Sequence, residues 1–134
     1  MTMKINCHSA YLDAKFEANL EIEEGAKYSI RMNFEGKEFV EIGDDLIEAL
    51  RKLRLNSLEP LGIVPLLNGC RRDFVGSRMQ RQSTGGKIGY LFVLGEASKP
   101  ENTVLTFDCA PVEMVVSVEE QDRHFKYWLE SLRK

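Results

Sequence analysis

The segment from Tyr28 to Ile42, which reads YSIRMNFEGKEFVEI, carries the clearest fold signal in the chain. Apolar and polar side chains alternate before and after Glu35 and Gly36, and two alternating runs joined by a short glycine-containing turn are typical of a β-hairpin. In the first run, the bulky side chains alternate with smaller or polar ones and so lie on one face of the predicted strand: Tyr28, Ile30, Met32 and Phe34. We therefore expect an antiparallel hairpin with one buried face.

The residues before the hairpin continue this alternation. It runs from Lys4 to Glu24, and its clearest part begins at Phe16. The pattern predicts a half-buried strand with a carboxylate-lined outer face. That face carries polar side chains at every second position: Glu17, Asn19, Glu21 and Glu23. Together with the hairpin, this strand would form an antiparallel meander.

Two segments carry helical signals. Asp44 and Asp45 precede an apolar stripe that ends in basic residues, which predicts a helix from about residue 45 to 55 with an aspartate cap. Ser117 and Glu120 have the spacing of a capping box ahead of a second apolar stripe. A terminal helix is therefore expected from about residue 118 to 133.

Three apolar runs predict further strands. Residues 63–67 form a short run in which Pro65 favours an edge position, because proline cannot donate to a strand ladder. Residues 87–94 are almost continuously apolar, which is typical of a central strand covered on both faces, and residues 103–110 form another strand. We expect one α+β domain over residues 1–134, a sandwich of two helices on a mostly antiparallel sheet.

Composition and cysteine spacing limit the class of protein. The chain has 134 residues, of which 43% are hydrophobic and 29% charged, a balance typical of globular domains. No apolar run approaches the roughly 20 residues that span a bilayer, and the start has no secretory signal, so we expect a cytoplasmic protein without a membrane partner. The three cysteines are widely spaced and predict neither a disulfide framework nor a metal site: Cys7, Cys70 and Cys109.

Negative charge is concentrated in the first part of the sequence. Residues 1–50 carry eleven acidic and five basic side chains, while the formal net charge of the whole chain is -3. An acidic surface repels phosphate backbones, which disfavours direct nucleic-acid binding, and it attracts a basic protein partner.

The segment from Asn68 to Tyr90 reverses that balance. It contains one acid, Asp73, and five basic residues: Arg71, Arg72, Arg78, Arg81 and Lys87. We expect a long loop, and loops of this length are usually either functional or disordered. Arginine forks suit carboxylate or phosphate recognition, but the same side chains could instead pair internally with Asp73 and with the acidic first half. Lys87 is followed by Ile88, which excludes a nucleotide-binding P-loop.

Catalytic signals are weak. Cys70 lies beside Arg71 and Arg72, which could lower its pKa as a nucleophilic thiol requires. A catalytic cysteine also needs a base, and neither His8 nor His124 has sequence neighbours that suggest a dyad. We expect a packed cysteine, no catalytic residue, no cofactor and no enzyme activity.

Several motifs together resemble immunity proteins of bacterial contact-dependent growth inhibition and related polymorphic toxin systems. They lie mainly in residues 67–132: LNGCRRD at 67–73, Ser77 with Met79, GGK at 85–87 leading into Tyr90, and VEEQ at 118–121 followed by Trp128 and Leu129. The resemblance implies a protein that binds one cognate toxin domain and blocks its active site or its substrate approach. It implies no catalysis.

We therefore hypothesise a binding protein that neutralises a cognate toxin domain, for which a nuclease with a basic groove is a suitable class. Its candidate contact residues are Glu17, Glu21, Glu23, Arg71, Arg72, Asp73, Arg78, Arg81 and Lys87. The alternative is a small-anion (phosphate or carboxylate) binding protein or enzyme that uses the Arg-rich loop 71–87. A third possibility is a structural adaptor that works as a homo-oligomer; the sequence does not give the oligomeric state.

Overall fold

The computed structural model describes residues 1–133 and arranges their strands in two antiparallel sheets. The first sheet has the order β4-β3-β2-β1-β5, with β1 (Thr2–Ser9), β2 (Ala14–Glu24), β3 (Tyr28–Phe34), β4 (Lys37–Gly43) and β5 (Ile63–Pro65). The second has the order β6-β7-β8, with β6 (Phe74–Val75), β7 (Ile88–Leu91) and β8 (Thr103–Leu105). The α-helices are α1 (Leu46–Leu53), α2 (Arg78–Thr84) and α3 (Val118–Ser131).

The expected α+β class is confirmed, since all strand pairs named above are antiparallel. The expected number of helices was wrong, because α2 is a third one. It lies inside the segment that the sequence predicted as a loop. Ser77 and Gln80 form a reciprocal capping box there: the Ser77 hydroxyl accepts from the Gln80 N–H, and the Gln80 side chain accepts from the Ser77 N–H.

The hairpin of β3 and β4 has the predicted position and turn. Phe34 pairs with Lys37, and the two turn residues Glu35 and Gly36 have φ angles of 49° and 76°. Two consecutive positive φ angles define the type of tight turn that matches the twist of antiparallel strands. The loop length therefore fixes the register, and the alternating side chains fall on opposite faces as expected.

The segment from Lys4 to Glu24 is two strands, not one. The chain reverses at residues 10–13, so that Ile5 of β1 pairs with Ala18 of β2. Asp13 adopts a φ of 47°, and the Leu12 N–H donates to the Ser9 hydroxyl at 3.2 Å. The reversal contains neither glycine nor proline, so the usual sequence signal for a turn is absent.

The main core lies between the first sheet and α1. The inner sheet face contributes fully buried side chains such as Leu20, Ile30 and Met32, and α1 contributes Leu46 and Leu53. The Asp45 side chain caps α1 by accepting from the Glu48 N–H at 2.8 Å. This helix begins and ends close to the predicted bounds and continues as a π-helical turn, Arg54–Leu58. Burial of one helical stripe against one sheet face is what the two sequence periodicities predict.

The single sheet that the sequence predicted is two sheets, and the strands of the second are shorter than predicted. The strand predicted over residues 87–94 is limited to β7 and is central only in its three-stranded sheet. Ile88, Tyr90 and Leu91 of this strand are only half-buried, and Val93 and Leu94 lie beyond its end and are exposed, so the predicted burial on both faces is wrong. The strand predicted over residues 103–110 ends at Leu105. By contrast, β5 with Pro65 does lie at a sheet edge, as predicted.

Helix α3 packs against the end of β7 through aromatic side chains. The Phe92 and Trp128 rings stack with their centroids 5.1 Å apart, and the Trp128 indole N–H donates to the Glu96 carbonyl at 2.8 Å. Ser117 caps the helix by accepting from the Glu120 N–H. Within residues 1–133, no helix combines the length and apolarity that crossing a membrane requires.

Candidate functional site

The first sheet has an outer face that faces away from α1. The outer sheet face is defined here by the residues whose side chains alternate with the buried ones: Lys4, Asn6, His8, Lys15, Glu17, Asn19, Glu21, Glu23, Ser29, Arg31, Asn33, Glu38, Val40 and Ile42. These side chains are exposed or half-buried, and no other element of residues 1–133 has buried them. Antiparallel sheets commonly have one solvated face, so exposure alone does not make it a site.

The predicted acidic row lies on this face, but it is not the only charge there. Glu17, Glu21 and Glu23 follow one another along β2. Arg31 on the neighbouring strand lies 3.9 Å from Glu21 and bonds to Glu38, which raises the pKa of its guanidinium. The face therefore carries mixed charge: Lys4 on β1, Lys15 on β2 and Arg31 on β3 lie among the carboxylates of β2 and β4.

Two carboxylates of the row are unpaired. Within residues 1–133, no cationic side chain lies within 4.0 Å of the carboxylate of Glu17 or Glu23. On the edge strand β4, Val40 and Ile42 are 43% and 53% exposed and share the same face. The outer sheet face thus carries both unpaired carboxylates and an exposed apolar pair.

The basic segment is largely neutralised inside the monomer. Arg71 forms two hydrogen bonds to Asp73, at 2.8 and 3.0 Å, which raise the pKa of the Arg71 guanidinium. Lys87 lies 2.6 Å from Glu24, and that hydrogen bond raises the pKa of the Lys87 ammonium. The internal pairing that the sequence left open therefore occurs for these residues.

The other three arginines of the segment lie apart from that pair. Arg81 forms two hydrogen bonds to Asp45, at 2.8 and 3.3 Å. Arg72 is exposed, with Nη2 3.8 Å from the Met114 sulfur, and Arg78 is exposed at the start of α2. Because α2 separates these side chains onto different elements, the loop as a whole does not present one arginine cluster.

A cleft lies between α1, β6 and α3, with a volume of about 670 Å³. Of the sequence-predicted site residues, only Arg81 lines it. The lining residues that sequence reasoning did not select are Ile47, Glu48, Leu50, Arg51, Lys52, Arg54, Leu55, Gly69, Phe74, Val75, Gly76, Gln121, Asp122 and Phe125. Arg51 and Asp122 join the two helices across this cleft by two hydrogen bonds of 2.7 Å.

No protein-family model matches the sequence, and no curated protein matches it at a significant level. The resemblance to immunity proteins therefore stays a prediction from the residues quoted above.

Cys7 and Cys70 are buried and placed for packing, while Cys109 is exposed. Burial raises the pKa of the Cys7 thiol to about 12, and the nearby Cys70 adds to the effect. Burial also raises the pKa of Cys70 itself, which outweighs the opposite influence of Arg54. Arg71 and Arg72 do not lower it as their adjacency in sequence suggested. Within residues 1–133, no group of three or more His, Cys, Asp or Glu side chains is arranged to hold a metal ion.

Proposed function

We propose that this chain is a binding protein that holds a protein partner on the outer sheet face, and that the partner is a cognate toxin domain. The observation that carries the proposal is the exposure of that face next to an apolar pair on its edge. The toxin class comes from the sequence resemblance, and binding would block the toxin's active site or substrate approach.

The composition of the outer sheet face supports an interface. Specific interfaces combine a few apolar side chains with a polar rim that stays accessible to water. Val40 and Ile42 supply the apolar part, at 43% and 53% exposure, and the polar strands beside them supply the rim. A five-stranded sheet is also a rigid support, so the binding surface would lose little conformational entropy when a partner binds.

Two carboxylates within this face of mixed charge favour contact with a basic part of the partner. Glu17 and Glu23 have no cationic partner within 4.0 Å among residues 1–133, so their carboxylates remain free to attract one. Complementary charge speeds diffusional encounter more than it strengthens the final complex. A nuclease domain with a basic nucleic-acid groove would match this surface.

The test begins with the neighbouring reading frame, where we expect a large protein with a toxin-like C-terminal domain. Expressed alone in bacterial cells, that domain should stop growth, and co-expression of this chain should restore it. The purified pair should form a complex by size-exclusion chromatography. Failure to restore growth, together with failure to form a complex, would remove the proposed function.

Paired charge reversals then locate the interface. Glu17→Lys with Glu23→Lys should lower the association rate by about tenfold at low salt, and the loss should shrink as salt is added. The matched control is Glu113→Lys with Glu130→Lys, which changes the net charge equally at exposed positions on other elements. Equal losses in both double variants would assign the effect to net charge and would contradict a site on the outer sheet face.

A further inference from the structure

The cleft between α1, β6 and α3 contains an arginine of unusual placement. Arg54 belongs to the π-helical turn after α1 and is only 2% exposed. Its Nη1 donates to the Gln121 side-chain oxygen and its Nη2 to the Val116 carbonyl, both at 2.6 Å. Among residues 1–133, its Nε is the buried side-chain nitrogen or oxygen that lacks a hydrogen-bond partner.

Arg54 also differs from the other cations of the cleft in having no carboxylate at ion-pair distance among residues 1–133, although Asp122 is near enough for Arg54 to contribute to its lowered pKa. Arg51 pairs with Asp122, Arg81 with Asp45, and Lys52 with Glu48. In the part of the chain that the structure describes, no carboxylate lies within 4.0 Å of the Arg54 guanidinium. The cleft therefore has one positive charge more than its ion pairs neutralise.

This charge is costly because it cannot be removed. Arginine stays protonated at any physiological pH, so burial cannot neutralise it as burial neutralises a lysine or a carboxyl group. A buried charge without a paired counter-charge is destabilising, and two hydrogen bonds to neutral acceptors together with the more distant Asp122 carboxylate offset part of that cost. An anion bound in the cleft would supply the missing counter-charge.

The orientation of Arg54 is fixed from the other side by Gln121. The Gln121 amide nitrogen donates to the carbonyls of Gly69 and Arg71, at 2.9 and 2.8 Å, while its oxygen accepts from Arg54. Every polar atom of the Gln121 side chain is thus engaged, and the guanidinium is held without a carboxylate. Pre-orientation of this kind lowers the entropy lost when a ligand binds.

The rest of the lining sets the chemical class of the ligand. Phe74, Phe125 and Leu50 form an apolar part of the cleft, which suits a ring or a short aliphatic body. One unneutralised cation matches one negative charge better than the two of a phosphate. We propose that the cleft binds a small monocarboxylate with an apolar body, its carboxylate beside Arg54 and its apolar part against Phe74 and Phe125.

The ligand test uses phenylacetate as the probe, with phenylacetamide as its neutral counterpart. Isothermal titration should give saturable binding of phenylacetate and binding of the amide at least about tenfold weaker, because the amide has no negative charge to pair with Arg54 and has one acceptor oxygen fewer. In a two-dimensional NMR titration, the backbone amides of Gly69, Gly76 and Phe125 should shift together. Equal binding of the two probes, no saturable binding, or shifts confined to other surfaces would each overturn the proposal.

Inorganic phosphate tests the charge argument separately. It carries no apolar body and more than one negative charge near neutral pH, so it should compete weakly with phenylacetate. Displacement of phenylacetate by phosphate at comparable concentration would overturn the assignment to a monocarboxylate.

Two substitutions test whether Arg54 and Phe125 contact the bound phenylacetate. Arg54→Gln should weaken phenylacetate binding by at least about tenfold, whereas Arg78→Gln removes the same charge at an exposed position outside the cleft and should leave it unchanged. Phe125→Ala affects a half-buried ring and provides the test if Arg54→Gln does not fold. It should weaken phenylacetate binding several-fold by removing apolar contact, and full binding in this variant would contradict the proposed pose.

Discussion

The Arg81 guanidinium donates two hydrogen bonds to the carboxylate of Asp45, from Nε at 2.8 Å and from Nη2 at 3.3 Å. The same carboxylate caps α1 by accepting from the Glu48 N–H. The Asp45 side chain therefore caps α1 and also connects the basic segment to this helix through Arg81. Because the Asp45 side chain is only 12% exposed, solvent does little to replace either interaction.

Asp45→Ala, at the N-cap of α1, should strongly destabilise the protein. Loss of the cap and of the charge-assisted hydrogen bonds should together lower the free energy of unfolding by about 2–3 kcal/mol. Urea denaturation followed by circular dichroism measures this change. Asp44→Ala, at an exposed neighbour whose carboxylate pairs with exposed Lys27, is the matched control and should leave the midpoint almost unchanged.

A double-mutant cycle with Arg81→Met separates the two roles of Asp45. If the ion pair contributes, the loss in the double variant should be smaller than the sum of the two single losses by about 1 kcal/mol. Strict additivity would show that Asp45 acts as a cap alone.

The pair of Arg51 and Asp122 should make stability depend on pH in the acid range. The hydrogen bond from Arg51 lowers the pKa of Asp122 in the folded chain. A lowered folded pKa means that the stabilisation is complete above the unfolded value, about 3.9, and is lost as the pH falls through the folded value. Both side chains are about half exposed, so the contribution should be at most about 1 kcal/mol.

The measurement for this pair compares wild type with Asp122→Asn by urea denaturation at several pH values. The difference in unfolding free energy should be constant between about pH 5 and 7 and should shrink below about pH 4. A difference that grows on acidification would contradict the lowered pKa of Asp122.

The parts of the fold that local sequence determines were predictable. The hairpin of β3 and β4 follows from alternation and from the turn at Glu35 and Gly36, and both caps follow from short polar patterns at Asp45 and Ser117. The reversal between β1 and β2 was missed because residues 10–13 carry no turn-forming glycine or proline. Helix α2 had a readable signal in Ser77 and Gln80, which the charge of the segment obscured.

The cleft could not be predicted in the same way, because its polar contacts join distant parts of the chain. Arg54 and Gln121 are 67 positions apart, and Arg51 and Asp122 are 71 apart. The spacing of Arg51 and Arg54 places them near one another on the helix, but their partners depend on where α3 packs. The outer-face carboxylates on β2 could be found from the sequence because they follow the periodicity of a single strand. Arg31 was missed because its position beside Glu21 depends on how β2 and β3 pair, which residues along one strand do not show.

Thiol labelling should distinguish the three free cysteines of the native protein. Cys109 is exposed, whereas Cys7 and Cys70 are buried, and burial raises the pKa of both buried thiols. With Ellman's reagent near pH 8, one equivalent should react quickly and the other two only at the rate at which the protein unfolds. A Cys109→Ser variant should show no fast phase. A fast phase that persists in this variant would mean that a second thiol is accessible.

Gly85 and Gly95 form a matched pair for alanine substitution, because both have positive φ, of 68° and 83°. A Cβ at Gly95 would meet nothing within 4 Å among residues 1–133, so Gly95→Ala should cost only the backbone strain, about 1 kcal/mol. A Cβ at Gly85 would lie 2.5 Å from the Tyr28 hydroxyl, so Gly85→Ala should cost about 1–3 kcal/mol more.

The Tyr28 side chain is the reason for that difference, and its removal should reduce it. In a Tyr28→Ser background, the cost of Gly85→Ala should fall towards that of Gly95→Ala, as measured by urea denaturation. The Gly85 carbonyl also accepts from the Leu46 N–H at 2.7 Å, so a shift of this turn would disturb the start of α1. If Gly85→Ala keeps its full cost without the tyrosine ring, the strain lies in the backbone at the start of α1 and not in the contact with Tyr28.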